Sequence, residues 1–369
     1  MNKDQTIAQQ NMKSVIQRIA TGPELSKNIS REEAKQSMLD ILHGEIDPVQ
    51  SAIFLIALRM KRETMDENLG VHDAIIETTD SITITAQNLI NIADPYDGFS
   101  RNLPSSLFLL PIIAELGFPV ISHGVFSVGP KYGCTHNQTL KEIGYKTENS
   151  LDEIAERLEN NQIGWAYADQ SIFNPELFSL MNLRKKIIKR PVITTVEVLV
   201  KPVRSKHDTF FTGFVHKPYP PIYLELSRNA RFESAAVIRG TEGGVIPSLR
   251  QTGKIHFYNK SADNDSFFDV RPSDLKINDS ARAVDIPEDI TRIKTNDKIE
   301  SKVESSAIAK AAMKSGLDAL SGKDGQMKSC IHLGAAIILK HITGNDIKDC
   351  SKEVLKVIDS GSALKRIKL

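Results

Sequence analysis

Residues 25–64 read LSKNISREEAKQSMLDILHGEIDPVQSAIFLIALRMKRET, and their punctuation decides how the chain begins. Ser30 stands three residues before Glu33, the spacing of a capping box, in which hydroxyl and carboxylate each satisfy a backbone N–H that the helix leaves free. The helix so opened carries Ala34, Met38, Ile41 and Leu42 along one face, and Gly44 supplies a left-handed stop. Asp47-Pro48 restarts the chain, with proline at the first helical position and Gln50 at the box position. That second helix, over 48–61, is apolar almost all round and is expected to be buried. Thr64 and Glu67 make a third box, opening a helix through Ala74, Ile75 and Ile76. The first eighty residues are therefore read as helical.

Working outward, the rhythm changes after residue 86. Leu89 to Ala93 is a short apolar strand ending in the loop DPYDGFSR; Pro104 to Leu116 reads as a helix and Pro119 to Ser122 as the next strand. Strand, loop, helix, strand is the order of a parallel α/β sheet. It recurs with strands expected at Gly164–Ala168, Val192–Val200, Phe211–Val215 and Ala235–Arg239. Residues 259–305 are polar, mixed in charge and poor in aromatics, and read as a long excursion or a mobile segment. Helix returns at Ser306–Ser321, Met327–His341 and Asp349–Asp359, before Gly361. The fold class expected is α/β: a small N-terminal helical domain, then a larger α/β domain with a mostly parallel sheet and C-terminal helices. The expected division places 1–86, joined by about 176–190, in the helical domain, and 87–175 with 191–369 in the other.

Composition narrows the class. With 369 residues, 47 Lys and Arg against 46 Asp and Glu, and 40% hydrophobic residues, the chain has the balance of a globular protein rather than a disordered one. Cys134, Cys330 and Cys350 are scattered with no CxxC pair, which argues against a disulfide framework or a thiolate zinc site and fits a reducing cytosol. No apolar run approaches the ~18–20 residues of a membrane span, and the polar start MNKDQTIAQQNMK has no apolar signal core. The expectation is a cytoplasmic protein with no membrane partner.

Three stretches together resemble the anthranilate phosphoribosyltransferase family and its nucleoside-phosphorylase relatives. The first is residues 25–64, similar to that family's N-terminal helical domain. The second is ELGFPVISHGVFSVGPKYG, 115–133, similar to the strand and glycine loop that carry a Lys-His-Gly-Asn signature. The third is LSGKDGQMKSCIHLGAAIILKHITGN with IDSGSALKRIKL, resembling the closing helices. The resemblance implies a ligand cleft between the two domains and a homodimer formed through the helical one.

Over the site motifs the chain departs from that pattern. The family's pyrophosphate loop is Gly-Thr-Gly-Gly-Asp-Gly, in which backbone N–H groups approach phosphate oxygens. Here Asp94-Pro95-Tyr96-Asp97-Gly98 stands in its place, so that Asp97 and Gly98 alone match; Arg101, Ser105 and Ser106 follow as an alternative phosphate contact. A plain turn between strand and helix accounts for the same residues equally well. In the second motif His123 and Gly124 match the His-Gly, Ser122 replaces the Lys, and Val125 and Phe126 replace the polar pair; Lys131 remains within reach of an anion. In the third, Val245 and Ile246 stand where the resemblance implies an Asp-Glu pair that holds magnesium, and Glu242 lies earlier. Magnesium prefers oxygen ligands, so no metal residue is assigned and magnesium is expected only if another carboxylate site exists. Arg184 matches the arginine on the anthranilate side, a guanidinium suited to a carboxylate; a solvated basic helix end explains it as well.

The near-zero net charge hides a local excess. Between Arg184 and Lys217 nine Lys or Arg face two acids, Glu197 and Asp208, and Lys365, Arg366 and Lys368 add a basic C-terminus. Lys185, Lys186, Lys189, Arg190, Arg204 and Lys206 are the candidate contacts to a polyanion, with Phe210, Phe211, Phe214 and Tyr219 near enough to stack on bases. A charge run is also, simply, a solvated face. Two functions therefore stand: a divergent glycosyl or phosphoribosyl transferase with altered or lost donor chemistry, and a non-catalytic binder of nucleic acid or another polyanion. The expected partner is a phosphorylated small molecule in the first case and nucleic acid in the second.

Overall fold

The computed structural model describes residues 6–22, 24–293 and 301–367. Lys368 and part of the polar stretch 259–305 lie outside the described residues. Four helices open the chain: α1 (Ile7–Ile19), α2 (Arg31–Leu42), α3 (Pro48–Lys61) and α4 (Met65–Glu77). Ser30 and Thr64 close capping boxes with Glu33 and Glu67, and the Asp47 carboxylate accepts from the N–H groups of Val49 and Gln50. Helix α3 departs from the expectation of all-round burial. Phe54, Leu55 and Leu58 are buried, whereas Val49 and Met60 are 66% and 74% exposed.

Among the described residues nine strands follow: β1 (Ile82–Thr83), β2 (Asn88–Ala93), β3 (Val120–Gly124), β4 (Trp165–Asp169), β5 (Val203–Arg204), β6 (His207–Gly213), β7 (Ser234–Ile238), β8 (Gly253–Tyr258) and β9 (Ser266–Val270). Strands β1 and β5 pair by themselves. The rest form one seven-stranded sheet in the order β4-β3-β2-β6-β7-β8-β9, parallel through β7 and antiparallel across β8 and β9. Neighbouring residues along the parallel strands face opposite cores. Leu89, Ile121, Phe210 and Val237 pack on the helical side; Ile90, Val120, Phe211 and Ile238 pack on the C-terminal helices. Burial on both faces is why apolar residues stand at consecutive positions in these strands, as at Leu89-Ile90, Val120-Ile121 and Phe210-Phe211. It also removes Phe210 and Phe211, each 0% exposed, from any base-stacking surface.

The chain runs from β2 outward to β3 and β4, then returns to place β6 on β2's other side. Strand order thus reverses at β2, and a crevice opens beyond the carboxyl ends of the strands at such a point. Between β4 and β5 the helices Pro175–Ser179 and Met181–Ile187 pack on α2 and α3. The strand expected at 192–200 is instead a short helix, Ile193–Val196, followed by irregular chain. Its β-branched residues are buried against α4 rather than paired in a sheet. The stretch read as an excursion contains β9, which forms a hairpin with β8 through the polar loop 259–265. Four helices close the fold, at Ser305–Leu320, Gln326–Thr343, Ile347–Ser360 and Ser362–Ile367. Among the described residues no helix is long and apolar enough to cross a membrane, and the three cysteines are free and buried.

Candidate functional site: the cleft beyond β2, β3 and β7

Three loops meet at the carboxyl ends of β2, β3 and β7, and carboxylates fasten them together. Asp94, directly after β2, accepts the N–H of Val245 at 3.1 Å from the loop after β7. Its other oxygen takes the Ser106 hydroxyl and lies 3.1 Å from His136 Nε2. His136 in turn stands 2.9 Å from Ser106 Oγ through Nε2 and 2.8 Å from Ser122 Oγ through Nδ1. Ser105 and Ser106 are both buried, and Ser106 is committed to this network.

Asp97 accepts from Arg190 at 2.6 Å and lies 3.5 Å from the Lys131 ammonium. Gly98 has φ +74°, and a Cβ there would fall 2.5 Å from the carbonyl oxygen of Cys134. The glycine serves a close crossing of two loops, in which Phe99 and Cys134 exchange backbone hydrogen bonds of 2.8 and 2.7 Å. Gly240 and Gly244 are likewise required by packing, since a Cβ on Gly240 would lie 1.5 Å from the Gly244 carbonyl oxygen.

From the β7 loop, Glu242 reaches back to the first. Its carboxylate accepts the N–H groups of Ser100, Arg101 and Asn102 at 3.1, 2.8 and 3.0 Å. Lys131 Nζ stands 3.4 Å from the same carboxylate. The Arg101 side chain itself is exposed. Val245 and Ile246, 1% and 7% exposed, belong to the core under the C-terminal helices.

His123 is 2% exposed, with Nδ1 2.5 Å from the Tyr96 hydroxyl and, among the described residues, no partner for Nε2. Burial pushes its pKa down to about 3, with a smaller contribution from neighbouring His136, so the ring is neutral. Gly124 lies alongside, where a Cβ would sit 3.3 Å from the Tyr167 hydroxyl. The cavity lined by Tyr96, His123, His136 and Tyr167 measures about 10 Å³, the space of one water.

Arg184 is engaged by an acid of the chain, near enough to Tyr96 for its charge to act on that phenol. Its guanidinium makes two hydrogen bonds, 2.6 and 2.7 Å, to Glu197, and both side chains are 1% exposed. The basic residues separate. Lys185, Lys186 and Lys189 are exposed and make no ion pair among the described residues, on the chain leading to Arg190 and Asp97. Arg204 and Lys206 lie at the other end of β6, where Arg204 pairs in register with Thr83. Seven residues of strand, roughly 20 Å at ~3.3 Å each, divide the two groups.

Magnesium does not fit this set of side chains. The residues at the expected pair are buried and apolar, while Asp94, Asp97 and Glu242 are each bound to N–H, hydroxyl or cationic donors of the chain. Among the described residues no group of three or more His, Cys, Asp or Glu is arranged to hold a metal. Sequence reasoning missed Asp94, Ser122 and His136 as a network, Tyr96 as the partner of His123, and Arg190 as the partner of Asp97. For Glu242 the one available signal was its position between glycines.

A four-helix start followed by a sheet that reverses at β2 is an architecture shared with glycosyl transferases that open on a helical bundle. The family model of the glycosyl transferase helical bundle domain matches residues 13–79. An uncharacterized protein of Aquifex aeolicus is 31% identical over 60% of this chain and 65% of its own length. The anthranilate phosphoribosyltransferase of Ignicoccus hospitalis is 23% identical over 97% of this chain and 96% of that one. The Saccharomyces cerevisiae anthranilate phosphoribosyltransferase, solved in complex with PRPP and Mg, superposes with a TM-score of 0.74 at 13% identity, covering 96% of this chain and 95% of that one. The helical bundle domain of the glycosyl transferase family is thus matched over residues 13–79, and the fold is that of the anthranilate phosphoribosyltransferases. The chain spans about two thirds of the length of the Aquifex relative.

Proposed function

We propose that this chain is a divergent member of the anthranilate phosphoribosyltransferase family in which transfer from phosphoribosyl pyrophosphate is altered or lost. The observation that carries this reading is the Asp94–Val245 hydrogen bond over a buried Val245 and Ile246. The loop that would present metal carboxylates presents apolar side chains to the core instead. What remains is an anion-directed cleft lined by Asp97, Gly98, Arg101, Ser105, Ser106, His123, Gly124 and Lys131, between a helical lobe (1–86 with about 176–190) and the α/β lobe. Arg184, paired with Glu197, supports the joint between the lobes. The partner class is a phosphorylated small molecule.

Titration calorimetry with phosphoribosyl pyrophosphate, with and without magnesium, tests the proposal. Weak binding indifferent to magnesium is expected; micromolar binding that magnesium strengthens would restore the ordinary donor chemistry. We further infer a cytoplasmic homodimer joined through the N-terminal helices, supported by the exposed Ile7, Leu25, Val49 and Met60. Sedimentation at micromolar concentration checks it, and a monomer alone would refute it.

A second reading is supported by Lys185, Lys186 and Lys189, three exposed cations beside the cleft that pair with no acid among the described residues. On that reading the chain binds single-stranded nucleic acid there without turnover, and Arg204 and Lys206 form a separate contact.

A further inference from the structure

Three successive N–H groups, from Ser100, Arg101 and Asn102, converge on the carboxylate of Glu242, and the Ser100 hydroxyl adds a donor at 3.3 Å. Consecutive backbone N–H groups aimed at one point form a concave seat for an anion. Here the anion is the chain's own.

Two independent features bear on how firmly that anion is kept. Glu242 sits at φ +54°, a left-handed conformation that side-chain-bearing residues rarely adopt, and Gly240, Gly243 and Gly244 bracket it. Lys131, 7% exposed, has its ammonium 3.4 Å from Glu242 and 3.5 Å from Asp97. Lys131 is ion-paired with both acids, but each separation exceeds the ~2.7–2.9 Å of a tight charge-assisted hydrogen bond, so the buried cation is shared between them at long range. A cavity of about 10 Å³, lined by Phe99, Asn102, Thr241 and Gly244 among others, lies between the same two loops.

We propose that the Ser100–Asn102 seat is an oxyanion-binding site for the phosphoryl or carboxylate group of a ligand, and that Glu242 is its resident, displaceable occupant. An incoming oxyanion takes the N–H donors and draws Lys131 to itself, while Glu242 leaves with its glycine-flanked loop. Both anions cannot share the seat, because like charges on common donors repel. The proposal rests on the reading of the cleft as an anion site.

The test uses the full chain as wild type, Glu242→Ala and Glu242→Gln. Inorganic phosphate, pyrophosphate and acetate are titrated by calorimetry, and hydrogen exchange is followed at the amides of residues 100–102. Removing the internal competitor is expected to tighten phosphate or pyrophosphate binding by about tenfold or more, since an occluded site loses apparent affinity in proportion to its closed fraction. In Glu242→Ala the amides lose protection, and the bound anion restores it. A response to phosphate or pyrophosphate but not acetate assigns a phosphoryl ligand; a response to acetate assigns a carboxylate. A folded Glu242→Ala with unchanged affinity, or with amides still protected, overturns the proposal. If that variant fails to fold, Glu242→Gln decides, and no gain over wild type overturns it. Pyrophosphate bound by wild type with exchange at 100–102 unaltered sinks the seat but keeps the anion cleft. No binding by any of the three proteins sinks both.

Discussion

Glu242 and Arg101, 141 residues apart, are joined by a 2.8 Å hydrogen bond from the Arg101 N–H to the Glu242 carboxylate. With the reverse tie from Val245 N–H to Asp94, each loop supplies one acid to the backbone of the other. The β2 and β7 loops therefore hold together as a unit.

Asp94 is the more deeply placed of the two acids, 6% exposed, with Val245, Ser106 and His136 around it. Asp94→Ala leaves those groups unpaired in the interior and is expected to cost about 3 kcal/mol or more. Asp94→Asn keeps an acceptor for Val245 and should cost less. Urea midpoints of both variants check the order; an Asp94→Ala variant as stable as wild type would contradict it.

Arg184 and Glu197 make a buried pair, and breaking it is expected to be worse than replacing it. Arg184→Ala strands the Glu197 carboxylate and should destabilise by about 3–5 kcal/mol, whereas Arg184→Met with Glu197→Leu should recover much of that. Fluorescence of Trp165, the single tryptophan and 1% exposed, reports the unfolding transitions. A double variant as damaged as the single would show that the pair acts in some other way.

Burial lowers the pKa of His72 to about 4, of His123 to about 3 and of His332 to about 4. In the unfolded chain each takes a proton near ~6.5, so between that value and about 4 the unfolded state binds more protons. Stability is full above pH ~6.5 and falls as pH drops, by roughly 1.4 kcal/mol per unit for each histidine. The fall begins well above the carboxylate range, which separates it from ordinary acid denaturation. Denaturation midpoints that stay level from pH 7 to 5 would contradict the assignment.

Lys185, Lys186 and Lys189 are solvated, and replacing all three with alanine should leave stability within ~0.5 kcal/mol per site. On the nucleic-acid reading the same variant weakens binding of single-stranded DNA and flattens its salt dependence by up to ~0.7 in slope per lost contact. Filter binding at several salt concentrations decides. Unchanged binding removes these lysines from the interface.

What could be read from the sequence was local. Ser30 and Thr64 announce their helices because a capping box is complete within four residues, and β2, β3 and β7 announce themselves because two-sided burial puts apolar residues at consecutive positions. Residues 192–200 misled because a β-branched run suits a strand, while packing on α4 and the Glu197–Arg184 pair hold it as helix and loop. The β8–β9 hairpin was hidden by a polar loop with no tight-turn signal. Matched motifs placed Asp97, His123 and Lys131 in one region, but no spacing tells that Glu242 folds onto residues 100–102.

The helices of 175–196 that complete the packing around α2, α3 and α4 leave the ribosome about a hundred residues after α4. At ~5–20 residues per second that interval is roughly 5–20 s. Throughout it the apolar surfaces of α3 and α4 that will receive Leu183, Ile193 and Val196 stand uncovered, and β2, β3 and β4 are made in the meantime. The N-terminal helices of the nascent chain thus have a window in which a chaperone or a second copy can reach them before their own covering segment arrives.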